Sequence, residues 1–254
     1  MLRLKDWSTA VTAPHHPIIA KLDSIFTLTP EERQAILDMP MHVHELRAKQ
    51  EIVREGDRPS RSFVVLEGFT CMFKVTPKGE RQILAFHIPG DIPDLQSLHL
   101  KTLDNSVGTV TRCKVGFIQH ETLRELCQTY PRIGSALWRE TLIDASIFRE
   151  WMIGIGRRDA FARLSHLLCE MLVRMRAVEL ARDHSCKLPI TQGEFGDALG
   201  LSTVHVNRTL QEIRKAKLIT LRGDTLKVLD WDGLQKAGEF DPTYLHLEKP
   251  QAAA

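Results

Sequence analysis

The stretch from Ile190 to Ile219, ITQGEFGDALGLSTVHVNRTLQEIRKAKLI, contains two short helical patterns separated by a glycine. Thr191 followed three residues later by Glu194 forms a capping box, which predicts that a helix begins there. Gly200 predicts the end of that helix, because glycine adopts the left-handed conformation without steric cost. Ser202 is placed to cap a second helix. The stretch therefore predicts a helix-turn-helix.

The second helix of this pair divides into an apolar stripe and a polar flank. Val206, Leu210 and Ile213 share one face, which leaves the polar side chains between them for solvent or a ligand. In a helix-turn-helix, the first turns of the second helix enter the DNA major groove. There arginine suits guanine, whereas asparagine and glutamine suit adenine. The predicted base readers are Thr203, Val204, Asn207 and Arg208, with His205 and Gln211 at the phosphate rim.

A hairpin signal and several basic residues follow the second helix. The segment TLRGDTLKVLD, residues 220–230, alternates around Gly223-Asp224, which predicts a two-residue β-turn and hence a winged helix-turn-helix. The basic side chains predicted to attract phosphates of any sequence are Arg214, Lys215, Lys217, Arg222 and Lys227. The residues assigned to direct DNA contact are Thr191, Gln192, Ser202, Thr203, Val204, His205, Asn207, Arg208, Gln211, Arg214 and Lys215. The alternative is a plain helical hairpin with a solvated basic face.

The first half of the chain has the character of a β-protein. Between Met41 and Gln119, short runs such as SFVVLEG and TCMFKV are separated by glycine turns. Many short strands at this spacing predict an all-β roll or barrel. Ahead of them, residues 18–38 predict a helical lead-in in which Thr29 and Pro30 open one helix.

A long helix predicted between Ile133 and Met152 is too apolar to be buried along one face only. Its two apolar stripes predict that one packs on the roll and the other on a second copy of the chain. The residues assigned to this dimer helix are Ile133, Leu137, Leu142, Ala145, Phe148, Trp151 and Met152. A helix enclosed within a monomer is the alternative. Gly154 and Gly156 predict a break, which gives domains at residues 1–130, 131–156 and 157–240.

The composition is that of a globular protein without a strong charge bias. The 254 residues are 43% hydrophobic with a formal net charge of +2, so binding to an anionic polymer would depend on local clusters of charge. The N-terminus lacks the apolar core of a signal peptide, and no stretch approaches the roughly 20 apolar residues of a membrane span. These features predict a cytoplasmic protein. Five scattered cysteines without a CxxC pair favour free thiols over a metal or disulfide framework.

These segments resemble one known family. Ile190–Ile219 is similar to the helix-turn-helix of the CRP/FNR family, the bacterial regulators typified by the cyclic-AMP receptor protein, and residues 49–92 resemble that family's β-roll. The resemblance implies an α+β fold: an N-terminal double-stranded β-roll of the cyclic-nucleotide-binding type, a long dimerisation helix and a C-terminal winged helix-turn-helix. It also implies a homodimeric transcription regulator, not an enzyme, that binds a pseudo-palindromic DNA operator, with RNA polymerase as a candidate further partner.

The sequence departs from the family's cyclic-AMP site. Members that bind cyclic AMP use a glutamate for the ribose and an Arg-Ser pair for the phosphate, whereas here Asp94 and Asn105-Ser106 stand at those positions. A neutral asparagine cannot replace a bidentate arginine contact, so the resemblance predicts no tight cyclic-AMP binding and an effector of unknown identity. The predicted effector pocket comprises Gly90, Asp91, Asp94, Leu95, Asn105 and Ser106. No cysteine precedes Cys71, which disfavours the iron–sulfur cluster of oxygen-sensing members, and no cofactor is predicted.

The recognition helix also departs from the family. Thr203 and Val204 stand where an arginine and a glutamate are usual, while Arg208 is kept. Because threonine and valine can contact thymine methyl groups, the resemblance predicts an operator different from that of the cyclic-AMP receptor protein.

Two other classes of function remain open from the sequence. The first is a cupin-like metal enzyme, because His42-Val43-His44 places two imidazoles on one strand face, although Ala48 and Lys49 occupy the positions where a carboxylate ligand is expected. No GxSxG, Walker or HExxH motif supports another enzyme class. The second is a small-ligand sensor whose C-terminal domain docks protein. Steep salt dependence of binding would distinguish a DNA-binding protein from it.

Overall fold

The computed structural model describes residues 16–248. The N-terminal stretch that was compared with a signal peptide lies largely outside this range, as do the first fifteen residues of the predicted sensor domain. The helices are α1 Pro17–Ile25, α2 Pro30–Leu37, α3 His120–Thr129, α4 Pro131–Arg157, α5 Ala160–Ala177, α6 Gln192–Leu199, α7 Thr203–Lys215 and α8 Trp231–Gly238. The strands are β1 His42–Leu46, β2 Glu51–Val53, β3 Arg61–Glu67, β4 Thr70–Val75, β5 Arg81–His87, β6 Ser106–Thr109, β7 Cys113–Gln119, β8 Ala181–Arg182, β9 Ser185–Lys187, β10 Ile219–Arg222 and β11 Thr225–Val228. Within residues 16–248, no helix has the length and apolar character needed to cross a membrane.

The predicted β-roll is confirmed as two antiparallel sheets in the first half of the chain. One has the strand order β1-β7-β3 and the other β2-β6-β4-β5. Side chains from both sheets form a small apolar core, with Phe63, Val107 and Val115 fully buried in it. The opposite face of β3 carries Val64 and Leu66, which belong to the larger core shared with the helices. Because β3 is buried on both faces, it reads as a continuous apolar run.

The long helix α4 has one buried and one exposed apolar stripe. Ile133, Leu137 and Trp151, which we assigned to a dimer contact, are instead buried within the same subunit. Trp151 donates from its indole Nε1 to Glu170 Oε2 at 3.0 Å, so its polar atom is satisfied inside the chain. The other assigned side chains are not buried: Leu142, Ala145, Phe148 and Met152. The sequence therefore identified two apolar stripes, but the residues assigned to the dimer contact came from both of them.

The predicted break lies just after the two glycines rather than at them, because α4 passes through Gly154 and Gly156 and ends at Arg157. Glycine inside a helix costs only about 1 kcal/mol relative to alanine, which the packing of a long helix offsets. The chain turns one residue later, where Arg158 is extended with ψ 144°. Asp159 then caps α5 by accepting from Ala162 N at 2.8 Å.

The C-terminal part combines α5 to α8 with a four-stranded sheet of order β10-β11-β9-β8. The hairpin β10-β11 forms around Gly223 as predicted, and Gly223 has φ 57°. The hairpin β8-β9 was not predicted, because its turn contains no glycine. Asp183 and His184 take the left-handed conformation there, with φ 47° and 55°.

Candidate nucleic-acid interface

Local capping determines where α6 and α7 begin and end. Thr191 Oγ1 accepts from Glu194 N at 3.3 Å, and Glu194 Oε2 accepts from Thr191 N at 2.7 Å, which completes the predicted capping box. Gly200 ends α6 with φ 64°. Ser202 Oγ then accepts from His205 N at 3.2 Å at the start of α7. The turn and both caps are those predicted from the sequence.

The turn between the helices depends on a close approach that the sequence did not reveal. Leu201 N donates to Gly196 O at 3.0 Å, which brings the chain after α6 back onto that helix. A Cβ on Gly196 would lie 2.5 Å from the carbonyl oxygen of Leu201. Glycine at this position therefore permits the tight packing of the turn.

The predicted apolar stripe of α7 anchors the helix in the protein. Val206, Leu210 and Ile213 are at most 1% exposed and belong to the core that contains Phe195 of α6. The opposite flank consists of exposed side chains: Thr203, Val204, Asn207, Arg208 and Gln211. Val204 is 80% exposed, so its methyl groups are accessible to a ligand. This flank of α7 therefore does not pack into the core of the protein and is accessible to a ligand.

Two exposed side chains of this surface have partners. Asn207 Nδ2 donates to Gln192 Oε1 at 3.1 Å, so a hydrogen bond joins α7 to the first residue of α6. Arg208 Nε lies 3.8 Å from Glu212 Oε1, at the long end of an ion pair. The guanidinium of Arg208 is therefore weakly held and can reach another acceptor.

Three further predicted DNA contacts, Thr191, Ser202 and Arg214, make hydrogen bonds within the domain. The Thr191 hydroxyl donates to Glu194 Oε2 at 2.8 Å, and the Ser202 hydroxyl serves as a cap. Arg214 is half-buried and donates from Nη2 to Leu221 O at 3.0 Å, which ties α7 to β10. These contacts place Arg214 in the framework of the domain, so its free charge toward DNA is smaller than the sequence suggested.

Several exposed cations follow the α7 flank along the chain. Lys215, Lys217, Arg222 and Lys227 are exposed on α7, the following turn and the β10-β11 hairpin. Lys187, which we did not predict, lies on β9 and contacts Asp224 at 2.8 Å. Only the strand pairing of β9 with β11 brings Lys187 to the hairpin, and local sequence patterns do not report such a pairing.

Two of the residues predicted to line an effector pocket, Gly90 and Asp91, make packing and ionic contacts with the helices. A Cβ on Gly90 would lie 2.4 Å from Pro17 O of α1, so this turn is pressed against a helix. Asp91 contacts Lys21 Nζ at 2.6 Å and Arg174 Nη2 at 3.0 Å. Burial would raise the pKa of Asp91, but Lys21 and then Arg174 outweigh it and lower the pKa to about 2. The structure thus places Gly90 and Asp91 at a packing junction.

The other predicted pocket residues lie on or inside the roll. Asp94 Oδ1 accepts from Phe63 N at 2.9 Å, and burial raises the pKa of Asp94 to about 7. Ser106 Oγ accepts from Glu55 N at 3.0 Å, whereas the buried Asn105 Oδ1 has no hydrogen-bond partner. Leu95 is buried. Asp94 and Ser106 are therefore held by backbone groups.

A large cleft lies elsewhere, with a volume of about 1010 Å³. Its walls include Pro17 of α1, Phe69 after β3 and Val178 after α5. None of the six predicted pocket residues lines it. The His42-Val43-His44 pair is exposed on β1, and residues 16–248 contain no group of three or more His, Cys, Asp and Glu side chains placed to hold a metal ion.

Two family models match the chain. The model of the cyclic nucleotide-binding domain matches residues 43–130, and that of the Crp-like helix-turn-helix domain matches residues 162–237. Among characterised relatives, the transcriptional activator protein anr of Pseudomonas aeruginosa is 25% identical over 212 residues, which cover 84% of this chain and 86% of that protein. The transcriptional activator protein FnrA of Stutzerimonas stutzeri is 25% identical over 208 residues, covering 82% and 85%.

Solved structures share the fold. FixK2 from Bradyrhizobium japonicum superposes with a TM-score of 0.71 at 23% identity, covering 78% of this chain and 98% of that one. The c-di-GMP responsive global regulator CLP of Xanthomonas campestris gives a TM-score of 0.61 at 18% identity, covering 79% and 99%. At these identities the superpositions establish the order and arrangement of the elements.

Proposed function

The chain belongs to the CRP/FNR family of DNA-binding transcription regulators, and from that premise we propose that it acts as a homodimer on a pseudo-palindromic operator. The observation that carries this proposal is the flank of α7, where polar side chains and Val204 face solvent while the opposite stripe is buried. Such a helix can enter a major groove without unfolding its own domain. A cytoplasmic location is part of this proposal.

The exposed stripe of α4 supports a dimer. Six of the twelve large apolar side chains that are exposed within residues 16–248 lie on α4: Trp138, Leu142, Phe148, Met152, Ile153 and Ile155. Isolated exposed apolar residues are common, but a concentration along one helix is typical of an interface. Pairing of two α4 helices would carry two α7 helices to half-sites about 34 Å apart.

We propose a division into a sensor roll ending at residue 130, the dimer helix α4 and a DNA-binding domain that ends near residue 240. The roll is not expected to bind cyclic AMP tightly, because Asn105 brings no positive charge to a phosphate. Apolar side chains fill the space between the sheets, among them Phe63 and Leu103. The effector is unidentified, and RNA polymerase is the proposed partner on DNA.

The test is selection of bound duplexes from a random DNA pool, followed by titration of the selected duplex at several salt concentrations. We expect a two-fold symmetric motif and an affinity that falls steeply with salt, because bound phosphates release counterions. Sedimentation should show a dimer, and cyclic AMP should not raise the melting temperature. A flat salt dependence with no selected motif would favour a C-terminal domain that docks protein.

A further inference from the structure

A pair of amide side chains bridges the two helices of the DNA-binding motif at its exposed surface. Asn207 Nδ2 donates to Gln192 Oε1 at 3.1 Å across fifteen residues of chain. We infer that Gln192 is a positioning residue that holds the Asn207 amide in the orientation that reads adenine. The inference rests on the proposed function, since it assigns a base to one residue of the same interface.

Both side chains project from firmly held backbone. Gln192 is the first residue of α6 and directly follows the Thr191 cap. Asn207 follows Val206, which is 0% exposed, in the second turn of α7. The backbone positions are thus fixed by the core and by the capping box. The side chains of the pair can still rotate about their own torsions, and the amide hydrogen bond restricts that rotation.

The hydrogen-bonding capacity of Asn207 then selects a base. An asparagine amide has two N–H donors and one carbonyl acceptor, and Gln192 uses one donor. One donor and the acceptor Oδ1 remain, which matches adenine, with its N7 acceptor and N6 donor. Guanine presents two acceptors in the major groove, N7 and O6, so Oδ1 would face O6 without a hydrogen between them. Asn207 held in this way favours adenine over guanine.

The phosphate backbone determines which way the pair is oriented. If both amides rotated by half a turn, Gln192 Nε2 would donate to Asn207 Oδ1 and the hydrogen bond would survive. Gln192 Oε1 would then be left without a donor and would face outward. Gln192 lies at the N-terminus of α6, where free backbone N–H groups favour a phosphate. Phosphate oxygens only accept hydrogen bonds, so they favour the observed orientation, in which Gln192 Nε2 is free to donate.

Val204 extends the same readout by one turn of α7. It lies three residues before Asn207 on the exposed flank and is 80% exposed. A valine methyl group at this place suits the methyl group of thymine. Asn207 is therefore assigned to an adenine and Val204 to a thymine methyl group. Together they predict an A·T pair in each half-site at the position that Asn207 contacts.

The experiment compares the operators selected by four variants of the full chain from a random DNA pool. The variants are Asn207→Ala, Gln192→Ala, Gln192→Glu and the control Gln128→Ala, an exposed glutamine on α3 outside the interface. We expect Asn207→Ala to lower the preference for adenine at one position per half-site by roughly 5- to 100-fold. Gln192→Ala should lower the preference at that same position by about 3- to 10-fold, because the amide is then free to rotate.

Gln192→Glu separates positioning from a merely structural effect. It keeps the acceptor for Asn207 Nδ2, so adenine should remain preferred, while overall affinity falls because a carboxylate faces phosphate. If Gln192→Ala leaves the base preference at every position unchanged, or if Asn207→Ala changes none, the inference is overturned although DNA binding stands. If the wild-type chain selects no motif, the proposed function fails first. Circular dichroism of each variant checks that α6 and α7 remain folded.

Discussion

Individual arginines of α7 illustrate how position decides between recognition and structure. Arg208 has an acidic neighbour, Glu212, at the long distance of 3.8 Å, whereas Arg214 donates to Leu221 O at 3.0 Å. The first is free to fork onto a base edge, and the second is committed to joining α7 and β10. The sequence alone treats both as cations of one basic surface.

Arg208→Ala should therefore change specificity rather than only affinity. We expect a loss of about 1–3 kcal/mol in binding to the selected operator and a relaxed preference at one base pair per half-site. Lys215→Ala is the comparison, because a phosphate contact should weaken all sequences alike and reduce the salt slope by about 1. Quantitative gel-shift titrations on operator variants measure both effects. Equal losses on every sequence would reassign Arg208 to phosphate binding.

Gly196→Ala should destabilise the helix-turn-helix. The added Cβ would lie 2.5 Å from Leu201 O, so the turn must open, at an expected cost of about 1–3 kcal/mol in the free energy of unfolding. Gly193→Ala on the same helix is the matched control, since its Cβ would have no neighbour closer than 3.9 Å. Urea unfolding of both variants gives the comparison. Equal stability of the two variants would show that the turn adapts without cost.

Asp94 predicts a dependence of stability on pH. Burial raises its pKa from the ordinary 3.8 to about 7, so the folded state holds the proton more tightly than the unfolded state. The stabilising contribution is complete below about pH 3.8 and is lost as the pH rises through about 7. Asp94→Asn should flatten the fall in unfolding free energy between pH 5 and pH 8, whereas exposed Asp232→Asn should not. Urea titrations at the two pH values decide it, and an unchanged slope in Asp94→Asn would contradict the assignment.

At the scale of elements, the features that could be predicted from the sequence are those formed by residues close together along the chain. The capping box of Thr191 and Glu194, the left-handed Gly200 and the β10-β11 hairpin each need only a few consecutive residues. The alternation and turn glycines of the roll belong to the same class of signal. These features are local because capping and turn geometry are satisfied within one or two turns of chain.

Elements or contacts that depend on distant residues were missed. The β8-β9 turn is local and was missed for a different reason, because Asp183 and His184 take a conformation that sequence patterns assign to glycine or asparagine. Asp91 finds its partners 70 and 83 residues away, at Lys21 and Arg174, so it was assigned to a pocket. The link from Gln192 to Asn207 is hidden for the same reason. Patterns along the chain do not encode which surfaces the folded core brings together.

The exposed stripe of α4 is the element whose function is most directly testable. Leu142→Arg should dissociate the proposed dimer, because a charge would enter a desolvated interface. Leu100→Arg is the matched control, since Leu142 is 56% exposed and Leu100 is 54% exposed in the single chain. We expect a sedimentation shift to monomer and at least a 10-fold loss of operator affinity only for Leu142→Arg. If both variants remain dimers, the stripe is not the interface.

For the whole molecule, a buried ionic cluster joins the roll to the two long helices. Arg174 of α5 donates to Asp91 Oδ2 at 3.0 Å, to Phe86 O at 2.9 Å and to Glu170 Oε1 at 3.3 Å. Lys21 of α1 lies 3.1 Å from Glu140 of α4. Burial raises the pKa of Glu140 to about 8, which Lys21 opposes. One apolar core surrounds this cluster and continues into the helix-turn-helix, so the parts are expected to unfold together.

Arg174→Met should weaken this coupling more than any change of similar size at the surface. It leaves Glu170 and Asp91 buried without one of their cations, at an expected cost of about 3–5 kcal/mol in the free energy of unfolding. Arg176→Met is the control, because that half-buried arginine contacts His184 and Trp231, both of the C-terminal part. Calorimetry should show one transition for the wild type and for Arg176→Met. For Arg174→Met we expect a lower melting temperature and a second transition as the roll and the DNA-binding part separate; a single transition at the control's temperature would mean that the apolar core alone couples them.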